Sequence, residues 1–513
     1  MLSLLAFRNL LHKPWRSALL FLGYGMGVTV MIVLLSIGEA LITQARDEKL
    51  VGGGDVTVLP EGLDVEVMKT GGLGGLFFSI DNARFVYLQL LASPRLAGDV
   101  RAVAPQVDGK LLYLTTDAGR EIAVRASGDV PSATRAVGAA PALAAGAWED
   151  DAGDRRWTRP TAAELRHDID HFHLPPPGIA NPESWGEWHY FNVLSADGRR
   201  WAFVSFILAG EVPSGRWGGQ LLVTTHEQGA DGRASSSRRY AATVLSSAIR
   251  FSTTDADLRL GDAGSVTVTA EGDYAVRARA RQEGTGEWLE LDLLVSPAPR
   301  AYFPGATLQS GDFASGYAVA ALRAEASGTL CTGAGERRRC ERHDRAQAYH
   351  DHNWGVWRGV SWEWGATRVG PYTILFGRVQ PPDSLGGSSP LFLYLVDSLG
   401  FRALFRPPDV AYDDGRVIRV GGRTVRVPTS GLVYDVRGED TLRLELMVED
   451  ATGTDTREGW GAGLPAPERG ESAQARALAR PYFIQMKGRA RLSGRLGGQP
   501  LAGEGAGFFE TYR

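Results

Sequence analysis

Cysteine is nearly absent from this chain: only Cys331 and Cys340 occur in 513 residues. That excludes a disulfide-dense scaffold and a four-cysteine zinc site. The pair flanks a short loop rich in glycine and arginine. A local disulfide is expected there if the region lies outside the cytoplasm, with two free thiols as the alternative. Closing so short a loop contributes roughly 2–3 kcal/mol. A positive charge excess is also missing. Lys and Arg number 55 against 59 Asp and Glu, a net charge of -4, which argues against a nucleic-acid partner. The sequence has no G-x-x-x-x-G-K-[ST] loop, so it carries no nucleotide-hydrolysing engine.

Only one long apolar run is present, the 22 uncharged residues from Ser17 to Gly38. At about 1.5 Å per residue this run can cross a hydrocarbon core of about 30 Å. Arg8, Lys13 and Arg16 precede it, and Trp15 sits where an interfacial aromatic would. The positive-inside bias then predicts residues 1–16 in the cytoplasm, a transmembrane helix over 17–42, and the remainder on the periplasmic side of the inner membrane. A cleaved signal peptide is the alternative, but the run is longer than a usual h-region and no A-x-A site follows. Gly23 and Gly27 form a G-x-x-x-G face that permits close helix pairing. A single span cannot form a transport path by itself.

What the chain has in quantity is glycine, 64 residues, and 26 prolines between short alternating runs. That pattern predicts a turn-rich β protein. Residues 43–157 read as a small mixed α+β region, with a strand at Asp55–Leu59, a helix at Phe85–Leu91 and a strand at Lys110–Leu114. Residues 158–178 read as a linker whose Pro175, Pro176 and Pro177 are extended and stiff. Just before them come His167, Asp168, Asp170, His171 and His173, a motif leading into the next domain. No third ligand can be placed there, so a hydrogen-bonded loop is preferred to a metal site, and no metal or other cofactor is predicted.

From Trp185 onward the alternation is of strand type. Trp188–Leu194 and Arg200–Leu208 flank an Ala196-Asp197-Gly198 turn, and Ser265–Thr269, Tyr274–Ala280 and Trp288–Val295 alternate. Arg416–Val420 and Arg423–Val427 read as a hairpin around Gly421-Gly422, and Leu442–Leu446 alternates. So many short strands suggest two tandem antiparallel barrels, expected at 179–325 and 326–513.

The densest chemistry lies in Tyr349-His350-Asp351-His352-Asn353-Trp354-Gly355. Titratable groups beside aromatic ones suit a partly apolar pocket holding a proton donor. They equally suit a buried Asp–His network that braces a loop. A buried carboxylic acid keeps its proton because burial disfavours the charged form. An aromatic wall can stabilise a carbocation through its π-face. Asp351 is therefore the candidate acid and Tyr349 its hydrogen-bond partner. Trp354, Trp357, Trp362 and Trp364 are candidate walls, with plain core packing as the commoner role of tryptophan. Arg337, Arg338 and Arg339 read as a solvated loop.

Two resemblances follow from these residues. Asp170-His171-x-His173, Glu187-Trp188-His189-Tyr190-Phe191, Tyr349 to Gly355 and the ending Gly505-Ala506-Gly507-Phe508-Phe509-Glu510 resemble the carotenoid 1,2-hydratase and AttH family over about residues 165–513. The resemblance implies two lipocalin-like (calycin) barrels and a long hydrophobic ligand. It places the acid in Tyr349-x-Asp351, with Glu187, Trp188, Tyr190, His350, His352, Trp354, Trp362 and Trp364 as candidate ligand contacts. Asp170, His171 and His173 form the leading motif. The hydratases also carry a His-x-Trp pair upstream, whereas residues 301–342 hold neither His nor Trp.

The second resemblance is N-terminal. Asn9 to Ser17 and the helix after it look like the first membrane helix of lipoprotein-release and macrolide-export ABC permeases. Val103-Ala104-Pro105, Gly109 and Val124 to Gly128 are similar to their extracytoplasmic domain. The joint expectation is a membrane-anchored binding protein for a lipid or isoprenoid, accessory to an ABC exporter. The alternative is an acid-catalysed hydratase, isomerase or cyclase of a hydrophobic polyene.

Overall fold

The computed structural model describes residues 14–47, 56, 58, 80–96, 98–138, 148–179, 182–228, 235–282, 284–310, 313–357, 359–381, 390–455 and 482–513. The chain divides into two units, residues 1–78 with 100–154, and residues 79–99 with 155–513. In the first, helix α1 (Pro14–Asp47) contains Pro14–Ile37, a stretch long and apolar enough to cross a membrane. Between Pro14 and Ile37 its leucines, valines and methionines are exposed, as suits a helix with apolar surroundings. Strands β1 (Gln106–Thr115) and β2 (Glu121–Asp129) form an antiparallel hairpin in the same unit. The strand expected at Asp55–Leu59 lies outside the described residues except Val56 and Val58.

The second unit is mainly β and holds two sheets. The first contains β3 (Trp185–Leu194), β4 (Arg200–Glu211), β5 (Arg216–Gln228) and β6 (Ser235–Leu245) as a meander. An excursion of β7 (Ile249–Phe251), β8 (Leu258–Leu260) and β9 (Gly264–Val268) leads to β10 (Tyr274–Arg281) and β11 (Trp288–Pro297). After β12 (Phe303–Ser310) come two long strands, β13 (Phe313–Ala334) and β14 (Arg337–Val356). Eight of these close into an up-and-down ring, β3-β4-β5-β6-β10-β11-β13-β14 and back to β3. One seam is narrow: β6 meets β10 only at Ala241–Arg281, where the β7–β9 excursion inserts.

Period-two alternation builds this barrel. In β10, Tyr274, Val276, Ala278 and Ala280 are buried while Arg277, Arg279 and Arg281 are exposed. In β11, Leu289, Leu291, Leu293 and Val295 answer them from within. Each fully buried side chain of that size contributes about 1.5–3 kcal/mol.

The second sheet has β15 (Ser361–Val369), β16 (Tyr372–Gln380), β17 (Phe392–Asp397), β18 (Gly400–Phe405) and β19 (Val410–Asp413). A separate hairpin, β20 (Arg416–Val420) and β21 (Arg423–Val427), is followed by β22 (Ser430–Arg437), β23 (Asp440–Asp455), β24 (Tyr482–Leu496) and β25 (Gln499–Tyr512). Its order is β18-β17-β16-β15-β25-β24-β23-β22-β19. Among the described residues no pairing joins β18 to β19, so beside the closed first barrel this second sheet is a half-barrel. The expected division near residue 325 needs correction. Residue 325 falls inside β13, and both β13 and β14 belong to the first sheet, which runs to Val356.

The expected 43–157 region is split as well. Helix α2 (Ile80–Ala92) belongs to the barrel unit. Its Phe85 meets the Tyr302 ring edge-on at 5.2 Å, and Arg84 binds Asp168 at 2.6 Å. Cys331 and Cys340 face each other across β13 and β14 and are joined by a disulfide. Reducing it is expected to lower stability by about 2–3 kcal/mol, read as a shifted urea midpoint. An unchanged midpoint would mean that the hairpin's own pairing already constrains the unfolded chain.

Candidate active site

Helix α3 (Ala162–Asp170) starts on a capping box, with Thr161 Oγ1 accepting from the Glu164 amide and Glu164 accepting from the Thr161 amide at 2.8 Å. It stops at His171, which is extended. Ile169 and Phe172 enter the barrel core on either side of Asp170. Strands β3 and β14 pair in register, His350 with Phe191, Asp351 with Tyr190 and His352 with His189. The Tyr349–Gly355 stretch is therefore a strand, and its side chains divide between two faces.

The even-numbered side chains point into the first barrel. His350 Nε2 lies 2.8 Å from Asp170 Oδ2, and its Nδ1 lies 3.0 Å from the Tyr190 carbonyl. His352 Nδ1 lies 3.0 Å from Asp170 Oδ1, and its Nε2 lies 2.9 Å from Glu187 Oε1. His173 Nδ1 is 3.0 Å from Glu187 Oε1, and the His173 amide donates to the same carboxylate at 2.8 Å. Asp170, His189, His350 and His352 are fully shut from solvent. Burial by itself would raise Asp170, but the surrounding imidazoles, His350 first, hold it well below the usual carboxylate range. Burial would likewise lower His352, yet Asp170 and Glu187 outweigh it and push it up to about 10. Burial pushes His189 well down, leaving it neutral. Two groups of side chains here have the composition of a metal site, Asp170 with His189 and His352, and Glu187 with His173 and His352.

Trp354 also lies on this side, stacked on His173 at 3.8 Å and covering Gly316, where any Cβ would overlap its ring. Gly355 ends the motif at φ 137°, a conformation suited to glycine.

The odd-numbered side chains face the second sheet. Tyr349 donates to Asp351 Oδ2 at 2.7 Å, Asn353 donates to Oδ1 at 2.7 Å, and Trp364 Nε1 donates to the Tyr349 hydroxyl at 2.8 Å. A second carboxyl, Glu510 of β25, accepts from Tyr190, Trp362 and Gln485, each at 3.1 Å. Aromatic rings surround both carboxyls. Phe508 meets Tyr349 edge-on at 4.8 Å, and Tyr317 meets Trp364 at 5.0 Å. Burial, with Glu510 adding to it, raises the Asp351 carboxyl to about 8, against the opposing hydrogen bonds of Tyr349 and Asn353. Burial also raises Glu510.

Asp351 is thus a neutral acid at pH 7. Its Oδ2 lies 2.7 Å from the Tyr349 hydroxyl and its Oδ1 2.7 Å from the Asn353 amide. Trp188, Trp357 and Trp362 are half-buried and form the open rim of this aromatic cluster.

The structure therefore brings Tyr349, Asp351, Trp188, Tyr190, Trp362 and Trp364 to one face. It puts Glu187, His350, His352 and Trp354 on the other, with Asp170 and His173. That corrects the expectation that His350 and His352 touch the same ligand as the Asp351 face. His171 stays outside the cluster, bonded to the Asp168 carbonyl at 2.9 Å. The interior of the first barrel retains a cavity of about 80 Å³ beside Val193, Tyr240 and Leu291. Small-molecule pockets usually measure about 300–1,000 Å³, so a long ligand does not fit there.

Glu510, Asn353 and His189 stand within the quoted motifs but were given no role from the sequence, and Gln485 was not noted there. His189 was within reach, since it stands two residues after Glu187 and so shares its face. Glu510 and Gln485 lie far along the chain, and only the β24–β25 pairing brings them together.

No family profile and no curated protein matches this chain. Solved structures do align with it. An AttH-type protein of Nitrosomonas europaea is 15% identical over 67% of this chain and 100% of its own, with a TM-score of 0.42. Kievitone hydratase of Nectria haematococca is 12% identical over 67% of this chain and 96% of its own, with a TM-score of 0.38. The protein CghA, solved with Sch210972, is 13% identical over 67% and 97%, with a TM-score of 0.39. At these values neither fold nor activity is taken from them, and the fold rests on the geometry above.

Proposed function

We propose that the barrel unit is an acid catalyst acting on a hydrophobic alkene, with Asp351 as the proton donor. The observation that carries this reading is the placement of the Asp351 carboxyl. It is buried among aromatic rings, and Tyr349 and Asn353 hold both its oxygens. Protonating an alkene carbon leaves a tertiary cation on its neighbour. Tyr349 and Asn353 are placed to hold the carboxylate so formed. Trp364 and Phe508 pack beside Tyr349, and an aromatic face near the acid would favour the cation. Water then adds to the cation and returns a proton to Asp351, so the net change is alkene plus water to alcohol. Loss of a proton instead of water addition gives isomerisation, and attack of a second double bond on the cation followed by proton loss gives cyclisation.

The test is to incubate the protein with an acyclic isoprenoid polyene in deuterated water. Deuterium on a newly saturated carbon supports the reading; recovery of unlabelled polyene argues for binding alone. The acid must be protonated to act. Turnover should therefore be flat below about pH 8 and fall tenfold per unit above it. Glu510→Gln should move that falling limb to lower pH, because the Glu510 charge is one cause of the raised value. A limb that stays in place would remove Glu510 from the site.

An anchored periplasmic location, with residues 1–16 in the cytoplasm, belongs to the same proposal. A role beside an ABC exporter rests on the N-terminal resemblance alone. The intact mass of the mature protein separates an anchor from a cleaved signal sequence, since both share the length and apolarity of Pro14–Ile37.

A further inference from the structure

We propose that Asp170, His189 and His352 form a closed structural site for a divalent cation, Zn²⁺ foremost, inside the first barrel. Three atoms converge: Asp170 Oδ1, His189 Nδ1 and His352 Nδ1. Oδ1 lies 3.0 Å from the His352 nitrogen and 3.5 Å from the His189 nitrogen. Zinc binds imidazole nitrogen and carboxylate oxygen at about 2.0–2.2 Å, so neighbouring ligand atoms on its tetrahedron stand about 3.3 Å apart. The two observed separations bracket that value.

Tautomers strengthen the assignment. His189 Nε2 lies 3.0 Å from the Ala256 carbonyl, so it carries the proton and Nδ1 presents a lone pair. That lone pair faces a carboxylate oxygen. His189 Nδ1 has no hydrogen-bond partner, whereas Asp170 Oδ1 has His352 Nδ1 at 3.0 Å, and neither Asp170 nor His189 has exposed surface. The His189 lone pair and the Asp170 oxygen are two acceptors facing each other in a sealed interior, where they repel, and leaving the His189 nitrogen unsatisfied is costly. A cation between them removes both costs.

The surroundings are those of a metal centre. Ligating histidines are commonly fixed by a carbonyl or carboxylate on the other nitrogen. Here Ala256 serves His189, and Glu187 Oε1 stands 2.9 Å from His352 Nε2. His350 Nε2 meets the remaining Asp170 oxygen at 2.8 Å. The Asp170 main-chain oxygen, 3.1 Å from His352 Nδ1, is placed to be a fourth ligand. Phe172 seals the site with ring contacts of 4.8 Å to His189 and 5.0 Å to His352. The competing occupant is a proton on His352 Nδ1, which metal binding would displace.

The experiment uses the full chain in detergent, purified without chelator and again refolded with Co²⁺. About one divalent metal per chain by elemental mass spectrometry, or a tetrahedral Co²⁺ absorption band in the visible, is expected. His189→Gln should lose metal by at least about tenfold, whereas His173→Gln should retain it. Wild-type protein with no metal above the dialysis buffer and no Co²⁺ band overturns the proposal, whether or not the variants fold. Loss in His173→Gln with retention in His189→Gln also overturns it, because the ion would then sit on Glu187.

Discussion

Asp351→Asn is expected to lower the proposed turnover of a polyene by about 10²–10⁴-fold, the usual contribution of a positioned general acid, and to leave the barrel folded. The amide is nearly isosteric and can still accept from Tyr349 or Asn353. It replaces a carboxyl that is already neutral at pH 7, so no buried charge is stranded. What disappears is the proton. The check is a single-turnover assay beside a circular dichroism melt. Full activity in the folded variant would exclude Asp351 as the acid and leave the aromatic face as a binding surface. A variant that unfolds would instead assign the residue to bracing the strand.

Asp170→Asn is expected to have the largest effect on stability. Asp170 is the carboxylate at which α3, β3 and β14 meet, through His189, His350 and His352. Removing one partner of a buried ion pair leaves the other charge uncompensated and costs about 3–5 kcal/mol. For contrast, Arg279 and Glu290 pair at 2.9 Å on the outside of the barrel, with Arg279 side-chain exposure of 69%. Arg279→Ala should change stability by only about 0–1 kcal/mol. Urea melts of the two variants test the contrast. Equal shifts would mean that the buried cluster does not hold α3 in place. The sign with pH follows from the lowered Asp170 value: its contribution is present above the ordinary carboxylate range and is lost as pH falls through the depressed value.

Part of this was legible in the residues alone. Alternation marked β3, β4, β10 and β11, and Gly421-Gly422 marked the β20–β21 hairpin. The parity of the central stretch already separated Tyr349, Asp351 and Asn353 from His350 and His352, because strand side chains alternate. Reading the stretch as one pocket overlooked that parity. The division near residue 325 failed for a related reason: long strands such as β13 carry no turn signal that tells which sheet they complete.

The sequence by itself determined the strand character of residues 185 onward, the apolar N-terminal helix and the dense Tyr349–Gly355 stretch, since each depends on neighbours within a few positions. Only the tertiary structure decided which face of β14 looks inward, that Asp170 sits among three histidines, and that Glu510 joins Asp351. Those depend on barrel closure and on contacts between residues 148 and 180 positions apart, which local alternation does not encode.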